Sequence, residues 1–176
     1  MSTLTQPPQN FNLTNTNKVT PGWSRWFLSV YNNIVNPDSV KIRAYAGSNV
    51  AIAGTGTQSK VSFNTETYDP AKRYDNATYK ATPGTSGYYT ISVSVLWSTS
   101  AADYTCTLSI YVNGSEVSRN TKRQTFVAGL FTQELQDTIV LTATDYVEIF
   151  AGQDSGGSLN INSGSINSFF TLTRVL

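Results

Sequence analysis

Residues 88–97 read YYTISVSVLW, and their alternation decides the fold. Tyr89, Ile91, Val93, Val95 and Trp97 fall on one side of an extended chain, while Thr90, Ser92 and Ser94 fall on the other. Successive side chains of a strand point to opposite faces, so a period of two predicts a half-buried antiparallel β-strand. The pattern recurs in CTLSIYVNG, residues 106–114, where Cys106, Leu108, Ile110 and Val112 share a side. Asn113-Gly114 ends that run with the dipeptide of a tight hairpin, because both residues accept the positive φ of a type I′ turn.

Further strands are predicted downstream in QTFVAGLF (124–131), LQDTIVLTA (135–143), YVEIFAG (146–152) and SFFTLTRVL (168–176). Upstream, SVKIRAY (39–45) and SNVAIAG (48–54) alternate briefly, with Gly47, Gly54 and Gly56 marking turns. Short strands about ten residues apart, divided by turn residues, predict an all-β antiparallel sandwich or jelly roll and not a parallel α/β sheet.

One stretch keeps a different period. In TPGWSRWFLSVYNNIVNP (20–37), Trp23, Trp26, Phe27, Val30, Tyr31 and Ile34 line one side of a helix. Thr20 suits the N-cap, Pro21 the first helical position, and Asn36-Pro37 the end. An apolar helix beside a self-sufficient β-domain reads as an attachment element, with packing on its own sheet as the alternative. The polar residues before it, with Pro7 and Pro8, read as an extended arm. The expected organisation is an N-terminal arm and anchoring helix at 1–38, a connecting β segment at 39–60 and a jelly-roll domain at 61–176.

Composition narrows the function. The chain has 176 residues, 13% of them charged, and a net charge of +1, so it lacks the positive field that steers nucleic-acid or anionic-membrane binders. Its one cysteine, Cys106, forbids an intrachain disulfide framework. No run approaches the roughly 20 apolar residues of a membrane span, and the N-terminus does not read as a secretory signal. A soluble protein made in the cytosol is expected, and the sequons NLT, NAT and NGS read as chance. Histidine is absent, which removes the usual general base, triad member and metal ligand.

The remaining constellations read as structural. Glu66, Asp69 and Asp75 lie beside turn residues, where carboxylates cap local backbone groups. Tyr68, Tyr74 and Tyr79 interleave with them and read as core or trimer-interface packing, or as a sugar-stacking patch for surface recognition. QDSGGSLNINSGS (153–165) carries oxygen donors at Asp154, Asn160 and Asn162 without the spacing of a calcium loop, and reads as a long surface loop. SKVSF (59–63) and RNTKRQT (119–125), the latter with Arg119, Lys122 and Arg123, read as charged strand edges or as docking points for an acidic protein. AGTGTQ (53–58) lacks the remainder of a phosphate-binding motif. No catalytic residue, metal site or cofactor is expected.

From Val61 onward the motifs resemble the globular head shared by the complement recognition protein and the tumour necrosis factor superfamily. VSFNTETYDP (61–70), RYDNATYKATPGTSGYYTISVSVLW (73–97), LSIYVNG (108–114), IVLTATDYVEI (139–149) and SFFTLTRV (168–175) carry the resemblance. It implies a ten-strand jelly roll that assembles as a homotrimer. PGWSRWFLSVYNNI (21–34) resembles the start of small structural proteins of tailed bacteriophages. Together these imply a non-enzymatic virion protein, made in the host cytoplasm and displayed on the particle surface. The expectation is a trimeric head decoration, or cement, protein held on the capsid by its N-terminal segment. The alternative is a tail-fibre or tail-knob protein that recognises a host receptor, carbohydrate or protein.

Overall fold

The computed structural model describes residues 24, 26, 40–100, 103–125 and 129–175. The chain divides into two compact units, Met1–Ser39 and Val40–Leu176. In the first, Ser24 and Trp26 are helical, Ser24 exposed and Trp26 half-buried. The rest of the predicted arm and helix, with Trp23, Phe27, Val30, Tyr31 and Ile34, lies outside the described residues.

The second unit is an antiparallel jelly-roll sandwich. Its strands are β1 (Lys41–Tyr45), β2 (Val50–Ile52), β3 (Ser59–Lys60), β4 (Thr65–Tyr68), β5 (Tyr74–Asp75), β6 (Lys80–Ala81) and β7 (Gly87–Ser98). They continue as β8 (Tyr104–Val112), β9 (Ser115–Gln124), β10 (Leu130–Leu141), β11 (Val147–Gln153), β12 (Leu159–Ile161) and β13 (Phe169–Val175). The larger sheet runs β2-β12-β7-β13-β1-β4, with β10 also on β7. The smaller runs β5-β6-β11-β8-β9, with β3 also on β11. Consecutive strands therefore cross between sheets at β2 to β3, β3 to β4, β4 to β5, β6 to β7, β7 to β8, β9 to β10, β10 to β11 and β11 to β12.

Strand β7 organises the larger sheet as its alternation requires. Tyr89, Ile91, Val93, Val95 and Trp97 are buried in the core, where burial of each such side chain contributes about 1.5–3 kcal/mol. The β8–β9 hairpin turns on Asn113 and Gly114, both at positive φ (52° and 79°), with Val112 opposite Ser115. Residues 39–60, read as a connecting segment, supply β1 to β3. Because β1 pairs along its length with β13 and also with β4, the paired strands of the sandwich begin at Lys41 and not at Val61.

Residues 153–165 are not one long loop. Leu159 and Ile161 are buried and β12 pairs with β2, Leu159 opposite Ile52 and Ile161 opposite Val50, while Ile161 also faces Trp97. The turn at residues 154–157 lies so close to residue 54 that a β-carbon on Gly54 would collide with the Gly157 backbone. Of QTFVAGLF, Gln124 ends β9 and Leu130 and Phe131 begin β10, and residues 126–128 lie outside the described residues.

The two sheets meet at the open β9–β10 edge through side chains. Gln133, 1% exposed, accepts a hydrogen bond from Trp97 Nε1 at 3.0 Å and donates through Nε2 to the Asn120 carbonyl at 2.9 Å. Asn120 Nδ2 donates to the Glu134 carbonyl at 3.0 Å, and Lys122 Nζ to the Thr132 carbonyl at 3.4 Å.

Candidate functional site

The larger sheet has one face on the core, and strand alternation places the intervening residues on the other. On β7 these are Tyr88, Thr90, Ser92, Ser94 and Leu96. On β10 they are Thr132, Glu134, Gln136, Thr138 and Val140, and on β13 Phe169, Thr171, Thr173 and Val175. Register aligns them in rows across the strands.

The row Val140–Tyr88–Val175 is apolar and open, its members 65%, 61% and 45% exposed. Next to it Thr138, Thr90 and Thr173 form a hydroxyl row, with Thr138 and Thr90 hydrogen-bonded at 3.0 Å. Further along, Glu134, Ser94, Phe169 and Tyr45 share a row. The Arg43 guanidinium lies 4.2 Å from the Phe169 ring centroid and donates to Thr67 Oγ1 and the Ser165 carbonyl at 3.1 and 2.6 Å. Small Ser92 and Ser94, flanked by Glu134 and Gln136 on one side and Phe169 on the other, leave a depression of about 240 Å³. A second crevice, about 580 Å³, lies between β9 and β10 beside Asn120, Lys122 and Glu134.

The three tyrosines singled out in the sequence part company. Tyr68 is 45% exposed on β4 and Tyr79 is half-buried at a φ of 57°. Tyr74 is a core residue, 8% exposed. Its ring packs 5.3 Å from Phe170 and its hydroxyl donates to the Phe63 carbonyl at 2.7 Å. Burial raises its pKa far above the usual phenol range, helped by the charges of Tyr79, Glu66 and Asp75.

The acidic residues are held by local groups. Asp69 is buried and accepts from the Arg73 and Tyr74 amides at 2.6 and 2.7 Å. Asp75 accepts from the Thr78 hydroxyl and the Ala77 amide, which lower its pKa, the hydroxyl more. Glu66 accepts from Asn76 Nδ2 at 2.5 Å. Asp154 caps the Thr105 amide at 2.5 Å, and among the described residues no three His, Cys, Asp or Glu side chains form a metal-binding group. Cys106 is buried, and burial followed by the Asp154 charge pushes its thiol up to about 12.

Of the basic spots, Lys60 neutralises a buried carboxylate and is not a free edge. Its ammonium lies 2.5 Å from Glu148 Oε1, and Glu148 is 5% exposed. Arg119, Lys122 and Arg123 do sit on an edge strand, β9, which among the described residues pairs only with β8. Among the described residues no helix is long and apolar enough to cross a membrane.

Tyr88, Val140, Val175 and Glu134 were not picked out by sequence reasoning. A signal existed for the first two. Tyr88 and Val140 are apolar residues out of phase with their buried neighbours Tyr89 and Leu141, so alternation alone directs them outward.

Strand order, crossovers and register define an antiparallel jelly-roll sandwich. The structure of Eiger TNF from S. frugiperda matches with a TM-score of 0.55 at 12% identity, over 78% of this chain and 93% of that one. The globular domain of the zebrafish complement 1qA protein matches with a TM-score of 0.55 at 12% identity, over 78% and 98% respectively. At that identity the likeness is one of fold. No protein-family model and no curated protein matches the sequence.

Proposed function

We propose that the chain is a non-enzymatic structural protein that works as a homotrimer, packing through the outward face of its larger sheet. The row Val140–Tyr88–Val175 carries this reading. Single exposed apolar side chains are ordinary, but three adjacent ones on neighbouring strands form a contiguous patch of the kind that marks an interaction surface. Covering it recovers roughly 25 cal/mol per Å² of apolar area, and the flanking hydroxyls pair readily across an interface. The resemblance of residues 61–176 to trimeric heads supports the stoichiometry.

Within that reading the trimer is a decoration protein on the head of a tailed phage, made in the host cytoplasm and anchored to the capsid through residues 1–38. This part of the reading rests on the resemblance of residues 21–34 to phage structural proteins; Ser24 and Trp26 are helical, as the period of that stretch requires of an anchoring helix. The second reading is a tail-fibre or tail-knob receptor-binding protein. Tyr68, exposed on β4 and therefore open to a ligand, favours it.

Immunogold labelling of purified particles with antibody against residues 40–176 separates the two. Gold across the heads fits decoration, and gold at the tail fits receptor recognition. Unlabelled particles contradict the virion reading.

A further inference from the structure

We infer that Glu134 is met, in the assembled trimer, by Arg123 of a second copy. The inference rests on the proposed trimer and adds the charge pair that sets its register. Glu134 is the one charged side chain among the outward positions of β7, β10 and β13. It is exposed and makes no salt bridge among the described residues. Its setting is otherwise hydroxyl, amide and aromatic. Covering this face strips water from a carboxylate, which is tolerated only when a partner charge arrives with the covering surface.

The depression beside Glu134 is smaller than a small-molecule pocket, its volume of about 240 Å³ lying below the roughly 300–1,000 Å³ of such pockets. A long basic side chain fits this shape, with its stem along Phe169 and its head on the carboxylate. Arg43, on the same face, is already committed to Phe169, Thr67 and Ser165, and Lys122, which lines the crevice beside Glu134, to the Thr132 carbonyl and the Phe131 ring.

A closed trimer joins two different surfaces of each copy, so the face needs a complementary surface elsewhere on the domain. Strand β9 offers one at an open edge. It carries Arg119, Lys122 and Arg123 against a single acid, Glu116, with Val117 and Leu130 exposed nearby. Arg119 is held by Glu116, and Lys122 by the Thr132 carbonyl and the Phe131 ring. Arg123 is the most exposed, its side chain 75% exposed, and its ion pair with the half-exposed Asp103 is long, at 3.5 Å. A guanidinium also suits a carboxylate better than an ammonium does, because it binds in a fork.

Sedimentation equilibrium of the full chain tests the pairing in Glu134→Lys, Arg123→Glu and the double reversal, with Tyr88→Ser as reference. Each single reversal is expected to weaken association by at least about tenfold, and the double to recover to within a few-fold of the parent protein. Two weakened singles without recovery in the double, or an unaffected Glu134→Lys, overturn the pairing while Tyr88→Ser still reports on the trimer. Glu134→Gln, which introduces no repulsion, is expected to weaken association less than Glu134→Lys. A parent chain that stays monomeric overturns the trimer itself.

Discussion

Replacing Gln133 with Leu tests whether the side-chain bridge between the sheets contributes to stability. The change keeps the volume roughly constant and removes every hydrogen bond the amide makes. Trp97, fully buried, then holds an indole N–H with no acceptor, and the Asn120 carbonyl loses its 2.9 Å donor. An orphaned buried polar group costs about 1–3 kcal/mol. The Trp97 donor incurs most of that, whereas the half-buried Asn120 carbonyl regains water in part, and leucine returns some apolar burial. The net loss is about 1–3 kcal/mol, or about 3–9 °C in Tm at roughly 3 °C per kcal/mol for a domain of this size. Urea unfolding followed by tryptophan fluorescence measures it, at fixed protomer concentration because association adds to apparent stability. In the double variant Trp97→Phe/Gln133→Leu the losses should fall short of additive, since the indole donor is gone. A Gln133→Leu variant within about 0.5 kcal/mol of the parent would refute the reasoning.

Three other outcomes follow from the geometry. Cys106, with its thiol held near 12 by burial, should not react with a thiol reagent at pH 8 in the folded protein and should react fully in denaturant. The Arg119 hydrogen bond holds the Glu116 carboxyl down at about 2, with Ser109 and Gln58 assisting. Its lowered folded pKa gives a contribution present above about pH 4.5 and lost as pH falls toward 2. NMR titration should show Glu116 returning toward the ordinary range in Arg119→Ala, with little change in stability because solvent screens the pair. Gly54→Ala should destabilise by more than 1 kcal/mol in the same urea assay, since the new methyl meets the Gly157 backbone and not a yielding side chain.

The sequence was most legible where a strand has one buried and one open face. Strand β7 shows this over twelve residues, and β8 adds the Asn113-Gly114 turn. Strand β9 has no such contrast. It is an edge strand with most side chains exposed on both faces, so burial imposes no alternation on SEVSRNTKRQ. Strand β12 is three residues long and framed by Gly, Ser and Asn, so its buried Leu159 and Ile161 carried too little period to be separated from a loop. Tyr68 and Tyr74 look alike in sequence and differ because Tyr74, opposite Ala81, faces Phe170 and Phe63 across the core. The interaction face was half legible, since phase marks Tyr88 and Val140 as outward but only register makes them neighbours. Glu134 carries no sequence signal, because its meaning comes from lying on a face with no other charge on three adjoining strands.

The central claim is that the outward face of the larger sheet holds three copies together. Sedimentation equilibrium of the full chain at micromolar concentration, alongside the double variant Tyr88→Ser/Val140→Thr, tests it most directly. The account predicts a species of three times the 19.2 kDa chain mass, shifted toward monomer in a variant that keeps its strand signature by circular dichroism. A parent chain that sediments as monomer, or a variant that remains as trimeric as the parent, would contradict it.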